Sequence, residues 1–439
     1  MGKLAVRSRV LTLIALAVLL EAIFGVLLWR AATQPAPLPQ FLLWFSAAGI
    51  VYLIAVFTVV RQGTGAALGR RSLWFIFLTA TVFRLTLLPL TPALSHQLWR
   101  VHWDGKIAHA GFNPYIYAPN NSLLSPIRTA VDAAVPAQNR AAVQPPLAEL
   151  LFHWTYNWFP GLRPGKIVFV AADLLLLVLL IRMLRRRKLP AEWVLIYAWS
   201  PLAIFEVAGE GHIAPVAALL ALLALGWSEH RARSAGVAAA AAALSLWYAI
   251  TLVPLVIVRA GKRWGRALRW AIACAVVLSL PYWFASSRFV LGDIVRNLRA
   301  AVAVAAPFNA SVYALLHAAW GAHAAAVVST LLVLAAIVFL SVRRIEPLRG
   351  ALWILTVLLL VLPQMQPWFV LWLLPLVVFF PEPAWIYFSV AVPWAYLMGR
   401  QPGWTMVEYV PLYALLGWQL WRESRRSAAS DVQVQGATS

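Results

Sequence analysis

The chain has 439 residues, 62% of them hydrophobic, and a mean hydropathy of +0.78, which is more apolar surface than a soluble domain can hide. Its formal charge of +21 suggests nucleic acid as a partner. But the basic residues fall in short loops between apolar runs, the positive-inside pattern of a membrane protein, and no basic stretch has the length or aromatic interleaving of a nucleic-acid surface.

In chain order, Lys3, Arg7 and Arg9 precede an apolar run from Val10 to Trp29. A cleaved leader has a shorter core and a small-residue cleavage site. This run matches the roughly 20 residues that span a bilayer, so it reads as a retained first helix over 9–30. Further runs lie at 41–60, 73–90, 166–183, 190–208, 212–228, 267–285, 323–342, 350–363, 367–380, 384–398 and 404–421. With the N-terminus inside, the basic loops at 61–71, 182–188, 229–233, 259–269 and 343–349 and the tail from Arg422 all fall on the cytoplasmic side. The expected fold is an all-α polytopic membrane protein with about 12 crossings. A single transmembrane domain covers 1–430 and a disordered cytoplasmic tail 431–439, so both termini are inside. The only cysteine, Cys274, lies in an apolar run and excludes an internal disulfide.

Residues 235–258 are long enough for one crossing, yet both flanks are basic: Arg231 and Arg233 before, Arg259, Lys262, Arg263 and Arg266 after. One crossing would invert everything downstream. A re-entrant hairpin of two half-helices, with Leu246–Tyr248 near its tip, satisfies the charge rule; the alternative is one tilted helix. Two long external loops remain, 91–165 and about 286–322. Loops of this length are functional or disordered, and the aromatic content of 91–165 argues for order, as short helices capping an external cavity. No internal repeat is visible, which speaks against an inverted-repeat transporter.

Soluble-enzyme motifs such as GxGxxG, GxxxxGK[ST], HExxH and CxxC are absent. The carboxylates expected outside are Asp104, Asp132, Glu149, Glu206, Glu210, Asp293 and Glu408, while Glu21 and Asp173 fall within apolar runs, where an acid is a functional candidate or pairs with a neighbouring helix. Four stretches stand at expected external helix ends and are expected to converge on one cavity. The first runs from Leu94 through His96, Gln97, Arg100, Trp103-Asp104-Gly105 and Lys106 to Asn113-Pro114-Tyr115-Ile116-Tyr117-Ala118-Pro119. The second is Gln144-Pro145-Pro146. The third is Trp199-Ser200-Pro201 with Glu206, Glu210 and His212. The fourth contains Gln366-Pro367-Trp368.

In this order the stretches resemble the polyprenyl-phosphate-sugar-dependent glycosyltransferases of the GT-C fold, specifically their bacterial mannosyltransferase-like members. The resemblance covers about residues 80 to 380 and is most specific in the first stretch. It departs from the family pattern where His96 and Gln97 stand in place of paired acids, where Ala214 stands in place of an acid, and where no lysine lies near Trp247-Tyr248. The resemblance implies a bacterial inner-membrane, inverting hexosyltransferase. It would move mannose or another hexose from a polyprenyl-phosphate donor to a glycan, lipid or protein acceptor on the external face. Membrane lipids are expected around it, and neither a cofactor nor a metal site is expected. The alternatives are a degenerate relative that binds lipid-linked saccharide without transfer, and a lipid or sugar transporter.

Such transfer needs a base for the acceptor hydroxyl, cations for the departing phosphate and aromatic surface for the sugar. Asp104 is the first candidate base, since burial raises a carboxyl's pKa toward the working pH; its structural alternative is an Asp-Gly turn. Glu206, Glu210 and His212 position the acceptor or replace Asp104 as base. Arg84, Arg100 and Lys106 are phosphate candidates, against snorkelling to the interface. His96 is expected either to contact the donor phosphate or to cap its helix. Trp103, Asn113, Tyr115, Tyr117, Gln366 and Trp368 are the expected donor and sugar contacts. Trp103 and Trp368 are set apart from the interfacial tryptophans because they lie inside the motifs.

Overall fold

The computed structural model describes residues 2–33, 38–61, 69–285, 288–289, 291–303, 306–343, 345–397 and 404–436. Most of the expected basic loop 61–71 and the end of the expected tail, 437–439, lie outside the described residues. The helices in chain order are α1 (Gly2–Thr33), α2 (Leu38–Val60), α3 (Arg70–Leu87), α4 (Gln97–His109), α5 (Pro146–Trp158), α6 (Arg163–Arg186), α7 (Leu195–Ala198), α8 (Pro201–Ile204) and α9 (Ala214–Trp227). They continue with α10 (Ala232–Ser245), α11 (Val253–Arg259), α12 (Trp264–Ser279), α13 (Leu291–Ala303), α14 (Val312–Val342), α15 (Pro347–Leu360), α16 (Leu374–Val377), α17 (Pro383–Ala391) and α18 (Trp404–Gly436). The strands β1 (Phe284–Ala285) and β2 (Arg288–Phe289) form a small antiparallel pair. Helix α18 extends into the stretch expected to be a disordered tail.

Among the described residues, four helical segments are long and apolar enough to cross a membrane: Ser8–Thr33, α2, α6 and α14. The bent pair Ala191–Ala198 and Pro201–Gly209 makes a fifth if it is one span. The bend lies at Trp199-Ser200-Pro201, where the Ser200 hydroxyl accepts from the Ala203 N–H and proline takes the first position of α8, both helix-starting devices. Helix α14 breaks at Gly321, which adopts φ 80°, so its apolar second half coincides with the expected span 323–342. The expected span 367–380 is not one helix: a 3-10 turn over Pro367–Trp372 leads into the four-residue α16. Proline at 367 and 375 interrupts it.

Residues 235–258 fold back on themselves as two helical arms about a turn. Leu246 is extended (φ −150°, ψ 134°) and separates α10 from a 3-10 turn over Trp247–Leu252 and then α11. Arg263 donates to the carbonyls of Glu229 and His230, so the two basic flanks lie side by side. The tip points the other way: the Trp247 indole donates to the Val143 carbonyl in the 91–165 loop at 2.7 Å. Other basic loops gather with the flanks at one end. Arg187 pairs with Glu346 at 2.7 Å, and Arg70, Arg182 and Arg185 line one groove.

At the opposite end, the 91–165 loop folds into α4, two 3-10 turns (Ser122–Ile127 and Ala130–Ala134) and α5. Gly105 explains how closely α4 lies on α5: a Cβ there would collide with the Phe152 carbonyl. Trp103-Asp104-Gly105 is therefore a helical packing point and not the Asp-Gly turn considered from the sequence. Trp103 is fully buried with Ile107, Leu124 and Val135 in the loop's own small core.

Candidate active site

Two polar centres flank α4. The first joins three of the four sequence stretches. The Glu210 carboxylate accepts the backbone N–H groups of Ala93 (3.2 Å), Leu94 (3.3 Å) and Ser95 (2.7 Å), which fixes the chain just ahead of α4. Glu206 lies in the π-turn Phe205–Gly209 and accepts from the Tyr396 hydroxyl at 2.9 Å. Gly211, at φ 80°, turns the chain so that His212 reaches back toward it. His212 Nε2 then stands 3.2 Å from Glu206 Oε2, without hydrogen-bond alignment between them. The imidazole stacks on Trp368 with centroids 4.4 Å apart and planes at 17°. Nearby, Lys166 donates to the carbonyls of Leu88 and Leu90, both at 2.7 Å, so its ammonium ties the end of α3 to the start of α6.

The second centre is a pair of acids between α4 and α5. Arg100 Nε contacts both Asp104 oxygens, at 2.9 and 2.8 Å, and its Nη1 donates to the Arg140 carbonyl. Glu149 is fully buried beside them, and neither of its carboxyl oxygens has a hydrogen-bond partner. Burial first, and then the Asp104 charge, push the Glu149 carboxyl well above its ordinary range. Asp104 is also raised by burial, though Arg100 opposes the shift. Of the two, Glu149 is the more readily protonated, because Arg100 faces Asp104 and leaves Glu149 without a partner.

These contacts redistribute the sequence-derived roles. Asp104 is wholly buried and both of its oxygens face Arg100, so this arrangement is a structural ion pair and does not leave a free base. Arg84, offered as a phosphate ligand, is buried with no exposure; it pairs with Asp173 and donates to the Ala80 and Ala198 carbonyls. The Tyr197 hydroxyl completes the Asp173 site at 2.5 Å. Thus Asp173 has partners from neighbouring helices, as does Glu21, which accepts from Thr86. Lys106 is held by Asp132 at 2.6 Å, and that ion pair, with hydrogen bonds from Thr129, pulls the Asp132 carboxyl below its usual range despite partial burial. Trp103 is core and does not meet solvent. His96 is exposed at the N-cap of α4 and makes no side-chain capping bond.

The second half of the first stretch braces the loop. Asn113 accepts the Tyr115 N–H at 3.0 Å in an Asx-turn and donates to the Tyr282 carbonyl; the buried Tyr115 hydroxyl donates to the Gln144 carbonyl at 2.6 Å. Tyr117 stays half-buried. Gln366 is half-buried at the N-cap of the 367–372 turn.

Two of the cavities formed by the described residues draw on these stretches. Asn113, Tyr117, His153, Trp154 and Tyr282 line a cleft of about 610 Å³. Glu210 instead meets a separate groove of about 520 Å³ between α1 and α2, walled by Leu27, Leu38, Phe41 and Trp44, with Arg30 among its lining residues. The Arg30 Nε is buried without a hydrogen-bond partner. Among the described residues, no three His, Cys, Asp or Glu side chains are grouped so as to hold a metal ion.

Sequence reasoning counted Glu149 among the external acids without giving it a role, and passed over Lys166, Tyr396, His153 and Arg30. Glu149 had a signal, since it follows Pro145-Pro146 by one helical turn in a chain poor in acids. Arg30 and Lys166 read as ordinary boundary charges of apolar runs. Compared with protein-family models, characterised proteins and solved structures, the chain matches none, so its activity has to be read from its own residues.

Proposed function

We propose that the chain is a bacterial inner-membrane glycosyltransferase of GT-C type. On this reading it crosses the bilayer about 12 times with both termini inside. It moves a hexose from a polyprenyl-phosphate donor to a glycan, lipid or protein acceptor at the end opposite the basic loops. The observation that carries this reading is the α1–α2 groove. It is apolar along Leu27, Leu38, Phe41 and Trp44, includes Arg30, and reaches Phe205 and Glu210, which bracket the turn that holds Glu206. An apolar channel with one cation suits a lipid phosphate: the prenyl chain gains from burial, and a guanidinium matches a phosphate in charge and shape.

In the reaction, the acceptor hydroxyl oxygen forms a bond to the anomeric carbon as the bond from that carbon to the phosphate oxygen breaks. The lipid phosphate leaves with the electron pair, its charge offset by Arg30. The hydroxyl proton passes to the His212 imidazole, which Glu206 stabilises as a cation and Trp368 holds by stacking. The cleft of Tyr117, His153 and Trp154 offers aromatic faces and polar edges on the acceptor side.

A second reading, lipid-linked saccharide binding without transfer, is favoured by one observation. Asp104, Glu206 and Glu210 are all buried, and the position of the family's acid pair is held by His96 and Gln97. The deciding experiment is transfer from a polyprenyl-phosphate hexose by the reconstituted protein. The enzyme reading expects His212→Asn to lower turnover about 10²- to 10⁴-fold with donor binding kept, and Arg30→Ala to weaken donor binding. Donor binding without transfer establishes the second reading; binding of neither donor nor saccharide sinks both.

A further inference from the structure

At the end where the basic loops gather, the start of α3 and the last turns of α6 enclose a groove of about 370 Å³. It is lined by Arg70, Arg182 and Arg185 together with Leu73, Trp74, Phe77, Val178 and Ile181. Among the described residues, no acidic side chain lines it. The arginines come from segments more than a hundred positions apart in sequence, so the fold has brought like charges together, which costs energy unless an anion shares the site. Trp74, 55% exposed, offers an aromatic ring beside them. The arginine at the C-terminal end of a helix has an ordinary role against the helix dipole, and a basic loop has one in topology. The dipole role does not extend to Arg70, which stands at the opposite, N-terminal end of its own helix, where a cation is disfavoured.

We infer that this groove binds an anionic phospholipid, with the phosphate on the three guanidiniums and an acyl chain along Trp74, Phe77, Val178 and Ile181. Charge complementarity selects the occupant: three cations without an acid reject a zwitterionic headgroup's ammonium and accept its anionic counterpart. The apolar wall distinguishes a lipid from a free anion, because it stabilises only a ligand that carries a chain. The site lies at the far end from the α1–α2 groove and does not depend on sugar transfer.

The test uses the full-length protein in neutral detergent, with melting midpoints read after adding dioleoyl phosphatidylglycerol, dioleoyl phosphatidylcholine or inorganic phosphate. Phosphatidylglycerol is expected to raise the midpoint by about 3 °C or more, the other two to leave it unchanged. The Arg182→Ala/Arg185→Ala double variant should lose the shift. Because charge removal can disturb topology, Val178→Trp serves as a second variant: it fills the groove with every arginine in place and should lose the shift too. An equal shift with phosphatidylcholine, an equal shift with phosphate, or a phosphatidylglycerol shift that survives in both variants would each overturn the assignment.

Discussion

Leucine in place of Glu149 should stabilise the protein at neutral pH and flatten its response to alkali. Glu149 has no exposure, and neither carboxyl oxygen has a hydrogen-bond partner. Burial and the Asp104 charge raise its pKa from an ordinary 4.5. Below that value the folded and unfolded chains are both protonated there, and the full stability is present. Above it the unfolded chain releases a proton that the folded chain keeps. Each pH unit then costs about 1.4 kcal/mol until the folded-state pKa is reached. Leucine removes the proton linkage, and replacing an unpartnered polar group with an apolar one of similar size is neutral or favourable. Asp104 keeps Arg100 in the variant, so no new unpaired charge appears. Melting midpoints in detergent from about pH 5 to about pH 8 should fall more steeply for the natural chain, by about 2 °C per pH unit relative to Glu149→Leu. Glu149→Gln, which keeps the volume, should also lose the slope. Parallel pH profiles for all three proteins would show that Glu149 does not hold the proton.

Arg84→Ala should cost about 3–5 kcal/mol, because it leaves Asp173 charged and buried without its cation; the yield of folded protein and the melting midpoint measure this, and Arg84→Ala/Asp173→Ala should recover part of the loss. Cysteines at His230 and Arg263, in a Cys274→Ala background, should cross-link readily if the hairpin returns to the side it left; a failure to cross-link in the folded protein would favour one tilted crossing.

The elements legible in the sequence were those written in local pattern. Flanking charge alone indicated the hairpin, and Leu246–Tyr248 lies at its turn because the extended Leu246 ends one half-helix and Trp247 opens the next turn. The 91–165 loop likewise shows its order through density of aromatic and proline residues. What could not be read was which charges meet. Arg84 looked like a free cation near a helix end, yet its acid is 89 positions away on α6. Gly105 looked like turn chemistry, although the reason for it is the Phe152 carbonyl on another helix. Asp104 passed as a free base because the sequence does not reveal that Arg100, one helical turn earlier, folds onto both of its oxygens. In the first centre the sequence identified Glu206, Glu210, His212 and Trp368 but not Tyr396, which comes from a part of the chain without a motif.

The alanine-rich first arm of the hairpin bears on how the protein is made. Helix α10 has 14 residues, about 21 Å of helix against a hydrocarbon core of about 30 Å, and six consecutive alanines, 238–243, supply little of the hydrophobicity that drives insertion. It packs tightly between α9 and α12, with Gly236 so close to the Ala267 carbonyl that no side chain fits. In a bilayer, such an arm has no stable place until both neighbours flank it. On the proposed topology, the arm therefore gains its second packing partner only once α12 has been made.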